Sequence, residues 1–118
     1  MRHYLVVRHK VKDYVEWRRE FDRSYEGLAR TYGLKRTWIN RSVDDRNELV
    51  IVSELNDVAR GREFIGCPEL KQAMDRGGVI DSPAVWFLDE LAEVGEPVGA
   101  VAGRAEESEP FPFPGEEW

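Results

Sequence analysis

The order of strand-like and helix-like segments constrains this chain more than any other feature. Between residues 2 and 91 the hydrophobic pattern predicts strand, helix, strand, strand, helix and strand in succession. A βαββαβ run of this length forms one four-stranded antiparallel sheet with its helices on one face. We therefore predict an α+β domain over residues 1–94, with the second face of its sheet still to be covered.

The first helix has the clearest signals. Asp13 is placed to cap its N-terminus, with Glu16 three residues later as a capping box requires, and Gly33 is placed to end it. One face of this helix carries a continuous apolar stripe made of Trp17, Phe21, Tyr25, Leu28 and Tyr32. The second helical region begins after Asp57 and is broken at Cys67-Pro68.

Apolar residues occupy both faces of the predicted strands. In the last strand, residues 84–91, Trp86 and Phe87 point to opposite sides. In the second strand, residues 34–41, alternation puts Leu34 on the same face as Arg36, Trp38 and Asn40. Because the helices cover only one face, we predict a homodimer whose two sheets pack together as a barrel that can hold a small ligand.

Composition excludes several classes of function. The formal net charge is −6, and residues 95–118 carry most of it in a tail rich in Pro, Gly and Glu. Neither part has a basic face for nucleic acid, and no apolar run is long enough to span a membrane. The one cysteine and the absence of a signal peptide predict a cytoplasmic protein. Two histidines and one cysteine are too few for a zinc site.

Five short segments of the chain form a recognisable set. They are Val-Arg-His-Lys-Val-Lys-Asp-Tyr-Val-Glu-Trp at 7–17, Phe-Asp at 21–22, Glu-Leu-Val-Ile-Val-Ser-Glu at 48–54, Cys-Pro-Glu-Leu at 67–70 and Gly-Val-Ile at 78–80. These segments resemble a small bacterial group in the dimeric α+β barrel superfamily, close to the antibiotic-biosynthesis monooxygenase domains and often labelled cyclase-like. The resemblance spans residues 2–91 and implies a ferredoxin-like fold, a small-molecule pocket, and chemistry without metal, flavin or other cofactor.

Three residues are candidate catalytic groups. His9 titrates near neutrality and can give or take a proton; alternatively it forms a hydrogen bond at a turn. Arg36 can hold an enolate, phenolate or carboxylate oxygen, or form an ion pair with Glu54 or Asp22. Glu54 can act as a base if burial raises its pKa, or serve as the partner of an arginine.

Four more residues are candidate substrate-binding groups. Trp38 shares a strand face with Asn40, so we expect it to line the pocket, with Trp86 as a second apolar wall. Each tryptophan is equally suited to the core or to the dimer interface. Asn40 can orient a carbonyl or face a turn. Arg8, like Arg36, is a charge inside a strand that looks buried, so it can hold a substrate oxygen or form an ion pair with Glu54 or Asp22.

Together with these residues, the resemblance implies an enzyme of bacterial secondary metabolism that cyclises or isomerises a polyketide-like or polycyclic substrate. His9 would move the proton, and Arg36 or Asn40 would hold the carbonyl. One alternative is a monooxygenase that needs no cofactor, in which an electron-rich phenol or enol itself reduces O₂. Another is a non-catalytic binding or stress-related dimer, which predicts a filled pocket and arginines neutralised by Glu neighbours.

Overall fold

A computed structural model describes residues 1–95 of the protein. The elements run in the predicted order, and the second helical region divides into two helices at Cys67-Pro68. They are β1 (His3–Lys10), α1 (Tyr14–Tyr32), β2 (Leu34–Arg41), β3 (Glu48–Leu55), α2 (Val58–Gly66), α3 (Pro68–Arg76) and β4 (Ala84–Asp89). The acidic tail predicted from residue 95 onward lies, apart from its first residue, outside the described residues.

The four strands form one antiparallel sheet in the order β2-β3-β1-β4. The first strand of the chain therefore lies in the interior of the sheet, between β3 and β4. The three helices pack on one face, as in a ferredoxin-like α+β fold. This confirms the fold class predicted from the order of elements.

The predicted caps are present at both ends of α1. The Asp13 carboxylate accepts a hydrogen bond from the backbone N–H of Glu16 at 3.0 Å. Gly33 ends the helix in the left-handed region at φ 76°, which a residue without Cβ adopts at little cost. At α2, Asp57 accepts from the N–H of Ala59 at 2.9 Å. Caps of this kind stabilise a helix by about 1 kcal/mol each, so local sequence fixes where these helices begin.

Close packing holds α2 against the sheet. A Cβ placed on Gly61 would lie 2.8 Å from Leu55 Cδ1 and 3.2 Å from Phe87 Cε1. The missing side chain therefore lets the helix backbone approach the strands directly. Phe64 of α2 is buried with Leu5 and Leu55 of the sheet in the main apolar core.

A β-bulge corrects one prediction about strand faces. Leu34 pairs with Leu55 and Arg36 pairs with Glu54, so Lys35 is an extra residue between them. Leu34 consequently points toward the helices and is 8% exposed, while Arg36 lies on the opposite face. The predicted common face of Leu34 and Arg36 is wrong, because the bulge interrupts the alternation.

The face away from the helices, called the open face below, carries an apolar row across all four strands. Strand register aligns Trp38 with Val52, Val52 with Val6, and Val6 with Trp86. The two tryptophans at the ends of the row are 43% and 47% exposed. As predicted, apolar residues occupy both faces of the sheet while the helices cover only one.

Candidate functional site

A cavity of about 80 Å³ lies between the sheet and the helices. Strands β1 and β3 supply one side of it, and all three helices contribute to the other. Its lining consists of Leu5, Val7, His9, Trp17, Glu20, Phe21, Ser24, Tyr25, Leu28, Leu34, Ile51, Ser53, Phe64, Leu70, Ala73 and Met74. The lining is mostly apolar with a few polar groups, which is the usual composition of a small-molecule site.

His9 lines this cavity and is only 2% exposed. Its Nδ1 is buried and has no hydrogen-bond partner among residues 1–95. Burial lowers the pKa of His9, because an imidazolium ion is poorly solvated there, and this outweighs the opposing effects of the residue's own backbone and of the Asp81 carboxylate. The ring is therefore neutral at pH 7, and its buried Nδ1 is an acceptor or donor that no group among residues 1–95 satisfies.

An aromatic wall extends from His9 along α1. The ring of His9 meets that of Trp17 edge-on, with centroids 5.8 Å apart. Trp17 and Phe21 follow at 5.0 Å, and Phe21 stacks on Tyr25 at 4.6 Å. The spacing of four residues places Trp17, Phe21 and Tyr25 on one helix face, so their rings form a continuous apolar wall along the cavity.

A chain of three hydroxyl groups lies at the other end of the cavity. Tyr25 Oη is hydrogen-bonded to Thr37 Oγ1, which lies 2.8 Å from Ser53 Oγ. Ser53 pairs with Leu5 across the sheet, and His9 lies four residues farther along β1. At 3.3 Å per strand residue, His9 and Ser53 are separated by about 13 Å along the strand direction.

Glu20 is a buried carboxylate in the middle of the cavity wall. It accepts hydrogen bonds from Ser24 Oγ at 2.7 Å and from Arg76 Nε at 3.0 Å, and Arg23 Nη1 lies 3.4 Å away. The hydrogen bonds from Ser24 and Arg76 lower the pKa of Glu20, so it is ionised at neutral pH. Because Glu20 is on α1 and Arg76 on α3, this ion pair joins the two helices across the cavity.

Helix α3 is the least embedded wall of the cavity. None of its residues is fully buried. Two open hollows flank this helix. One, of about 380 Å³, shares Leu70 and Met74 with the cavity, and the other, of about 480 Å³, shares Ser24 and Leu28 with it. A drug-sized ligand occupies a pocket of about 300–1,000 Å³, so a polycyclic molecule requires α3 or its side chains to move outward.

The open face holds the six remaining predicted site residues. Arg8 Nε lies 2.6 Å from Glu48 Oε2, and Arg36 lies 3.3 Å from Glu54 Oε1. The Glu54 carboxylate is 5% exposed and also faces Arg2 and Lys35, at 3.7 and 3.8 Å. For both arginines the structure therefore shows the ion-pair alternative, although the partner of Arg8 is Glu48, which was not predicted.

The sheet separates these residues from His9. On the open face Trp38 packs under the Arg36 guanidinium at 5.3 Å, and Asn40 Nδ2 donates to the carbonyl oxygen of Val50 at 3.2 Å. Trp86 ends the apolar row on the same side. Within one protomer, His9 and Arg36 or Asn40 do not reach the same ligand.

Sequence reasoning missed the polar groups Glu20, Ser24 and Ser53. Glu20 and Ser24 interrupt the apolar stripe of α1, and a polar residue on a buried stripe is a usable signal for a site. Their partners come from α3 and from distant strands, so the sequence did not reveal the contacts. Over residues 1–95 there is no group of three or more side chains suited to a metal ion, and no helix long and apolar enough to cross a membrane.

Comparisons with known proteins bear on the fold. No protein-family model matches the chain. No curated protein matches it either. Among solved structures, SnoaB, a cofactor-independent oxygenase from Streptomyces nogalater, superimposes with a TM-score of 0.66 at 19% identity, over 80% of this chain and 98% of that one. This chain has the ferredoxin-like α+β fold of that oxygenase.

A second neighbour has a bound ligand. It is a monooxygenase from the gene ActVA-Orf6 of Streptomyces coelicolor, in complex with nanaomycin D. The TM-score is 0.61 at 15% identity, over 81% of this chain and 93% of that one. Both neighbours have the superfamily fold that the short motifs of residues 2–91 resemble, so that resemblance is confirmed at the level of the fold.

Proposed function

We propose that this protein is a cofactor-independent oxygenase acting on an electron-rich phenolic molecule in the cavity between the sheet and the helices. The observation that carries this proposal is His9, a buried and neutral base in the cavity lining, whose ring contacts Trp17 and whose Nδ1 has no hydrogen-bond partner among residues 1–95. The activities named for the two structural neighbours support oxygenation over the cyclisation predicted from sequence.

The reaction balances with substrate and dioxygen alone. His9 removes a proton from an activated methylene group of the phenolic substrate, and the resulting anion transfers one electron to O₂. The substrate radical and superoxide combine to form a C–O bond, and the proton returns to give a hydroperoxide. Loss of water then breaks the O–O bond, so that a methylene group and O₂ become a ketone and one water molecule.

Oxygen uptake tests this proposal. With a hydroxylated anthrone as the probe, we expect one O₂ consumed for each ketone formed, at a rate above spontaneous oxidation. His9→Gln should lower that rate by about 10²- to 10⁴-fold, the range found for a lost general base. The matched control is His3→Gln, because His3 is bonded to Asp89 away from the cavity. An unchanged rate in His9→Gln would remove the proposed base.

The same experiment separates the alternatives predicted from sequence. Cyclisation or isomerisation would give a product without O₂ uptake. A non-catalytic binding protein would give neither. The ion-paired Arg8 and Arg36 agree with the non-catalytic alternative. That alternative also requires a filled pocket, whereas the cavity between the sheet and the helices is not filled.

We further propose that the protein is a homodimer in which a second copy covers the open face. The row from Trp38 to Trp86 supports this, because a half-exposed pair of tryptophans joined by two valines is an unusually apolar surface for a monomer. The ion pairs of Arg8 with Glu48 and of Arg36 with Glu54 neutralise part of the charge beside it. In such a dimer these residues would line the interface instead of the cavity that contains His9.

A further inference from the structure

The hydroxyl chain of Tyr25, Thr37 and Ser53 has no part in the proton transfer at His9. Its members come from α1, β2 and β3, and only Tyr25 and Ser53 line the cavity. Ser53 is the buried member of this chain, while Tyr25 and Thr37 are half-buried. A hydroxyl group buried beside an apolar cavity is costly unless all its hydrogen-bonding capacity is satisfied, so the direction of the bonds in this chain matters.

The direction of the hydrogen bonds follows from the number of hydrogens. Three hydroxyls supply three hydrogens, and the two bonds within the chain use two of them. A phenol is a stronger acid than an aliphatic alcohol, so Tyr25 donates to Thr37 and Thr37 donates to Ser53. The remaining hydrogen then belongs to Ser53, whose side chain lines the cavity and is 3% exposed.

We propose that Ser53 donates a hydrogen bond to the end of the substrate farthest from His9, so that the cavity selects a flat, elongated aromatic molecule with an oxygen at each end. The backbone positions of His9 and Ser53, about 13 Å apart along the strand direction, set the scale of that molecule's length. The aromatic wall of Trp17, Phe21 and Tyr25 lies between them and favours an aromatic molecule. The inference rests on the proposed function, which places the reacting carbon at His9.

Paired binding probes test this selection directly. One probe is an anthraquinone with a single hydroxyl group on a terminal ring, and the other has a hydroxyl at each end of its long axis. Isothermal titration calorimetry gives the ratio of their dissociation constants. We expect the two-ended probe to bind about three- to tenfold more tightly to the wild-type protein, the effect of one additional hydrogen bond.

Substitutions then assign that ratio to Ser53. In Ser53→Ala it should fall to about one, while Ser24→Ala should leave it unchanged. Ser24 is the matched control because it also lines the cavity but donates to Glu20. Thr37→Val gives a second test if Ser53→Ala does not fold. Thr37 does not line the cavity, so a reduced ratio in Thr37→Val reports on the hydrogen bonds of the hydroxyl chain and not on a lost contact with the probe.

A wild-type ratio near one would overturn the inference, and so would a ratio that survives in Ser53→Ala. Oxygen uptake distinguishes such a failure from failure of the proposed function. Turnover of the hydroxylated anthrone without any preference between the probes would overturn the role of Ser53 and leave the oxygenase. Selective binding that depends on Ser53 without O₂ uptake would support the role of Ser53 and overturn the oxygenase.

Discussion

Replacing Trp86 with alanine tests whether a second copy of the chain covers the open face. A tryptophan side chain presents up to about 250 Å², so an exposed fraction of 47% leaves about 120 Å² for a partner to bury. At about 25 cal/mol per Å² this contributes about 3 kcal/mol from each protomer. A two-fold axis doubles the loss to about 6 kcal/mol, which weakens the dimer by about 10⁴-fold.

Sedimentation equilibrium of the full chain measures this effect across a dilution series. Val43→Ala is the control, because Val43 is 98% exposed outside the sheet. We expect the control to remain dimeric at concentrations where Trp86→Ala is a monomer. Thermal melting should show that both variants fold, since Trp86 is already half-exposed within one protomer.

Two results would refute the reasoning. The first is a wild-type protein that is monomeric at tens of micromolar. The same measurement on a chain ending at Val94 then shows whether residues 95–118 prevent the dimer from forming. The second is a Trp86→Ala protein with the same association constant as wild type. Either would mean that the open face does not bury its apolar row against a second sheet.

Three further predictions concern the protomer. Because His9 has a lowered pKa when folded, the free energy of unfolding should fall as pH decreases below about 6.5, by up to about 1.4 kcal/mol per unit, and urea titrations should show this slope lost in His9→Gln. Gly61→Ala should cost about 1–3 kcal/mol through its clash with the strands, whereas Gly27→Ala, with open space around it, should stabilise by about 0.5–1 kcal/mol; equal urea midpoints would contradict the packing described. Arg76→Met should speed amide hydrogen exchange in α3, and Lys71→Met on the same helix should not; unchanged exchange in Arg76→Met would show that the ion pair does not hold the helix.

The sign of the pH effect at His9 follows from its two pKa values. The unfolded chain takes up a proton below about pH 6.5, whereas the folded protein resists it to lower pH. Stability from this group is therefore present above the unfolded value and lost as pH decreases through that window. Glu20 has a lowered pKa, so its contribution to the free energy of unfolding is lost only near pH 4 and below. The contributions of His9 and Glu20 are therefore lost in different pH ranges.

The parts of the fold that depend on local sequence could be predicted. Asp13, Gly33 and the break at Cys67-Pro68 act on their immediate neighbours, so their effects appear directly in the pattern. The bulge at Lys35 was missed because it depends on pairing with β3, which the alternation of β2 alone does not report.

The candidate site was only partly predictable for the same reason. His9 could be chosen as a titratable group on an apolar strand face, and the structure places it in a cavity. Arg36 and Asn40 share the strand pattern of a binding surface, but the sheet puts them on the side away from His9. The ion pair of Glu20 with Arg76 joins residues on two helices far apart in the chain, and only the folded arrangement reveals it.

The interior position of β1 also determines when the sheet can assemble. The hairpin of β2 and β3 joins neighbouring segments and can form early, whereas β1 pairs with β4 at contacts such as Leu5 with Phe87, across almost the whole domain. During synthesis β1 therefore emerges first and must wait with one edge unpaired until the last strand leaves the ribosome. An apolar strand in that state is open to pairing with other chains, so slow synthesis before residue 84 should favour aggregation over folding.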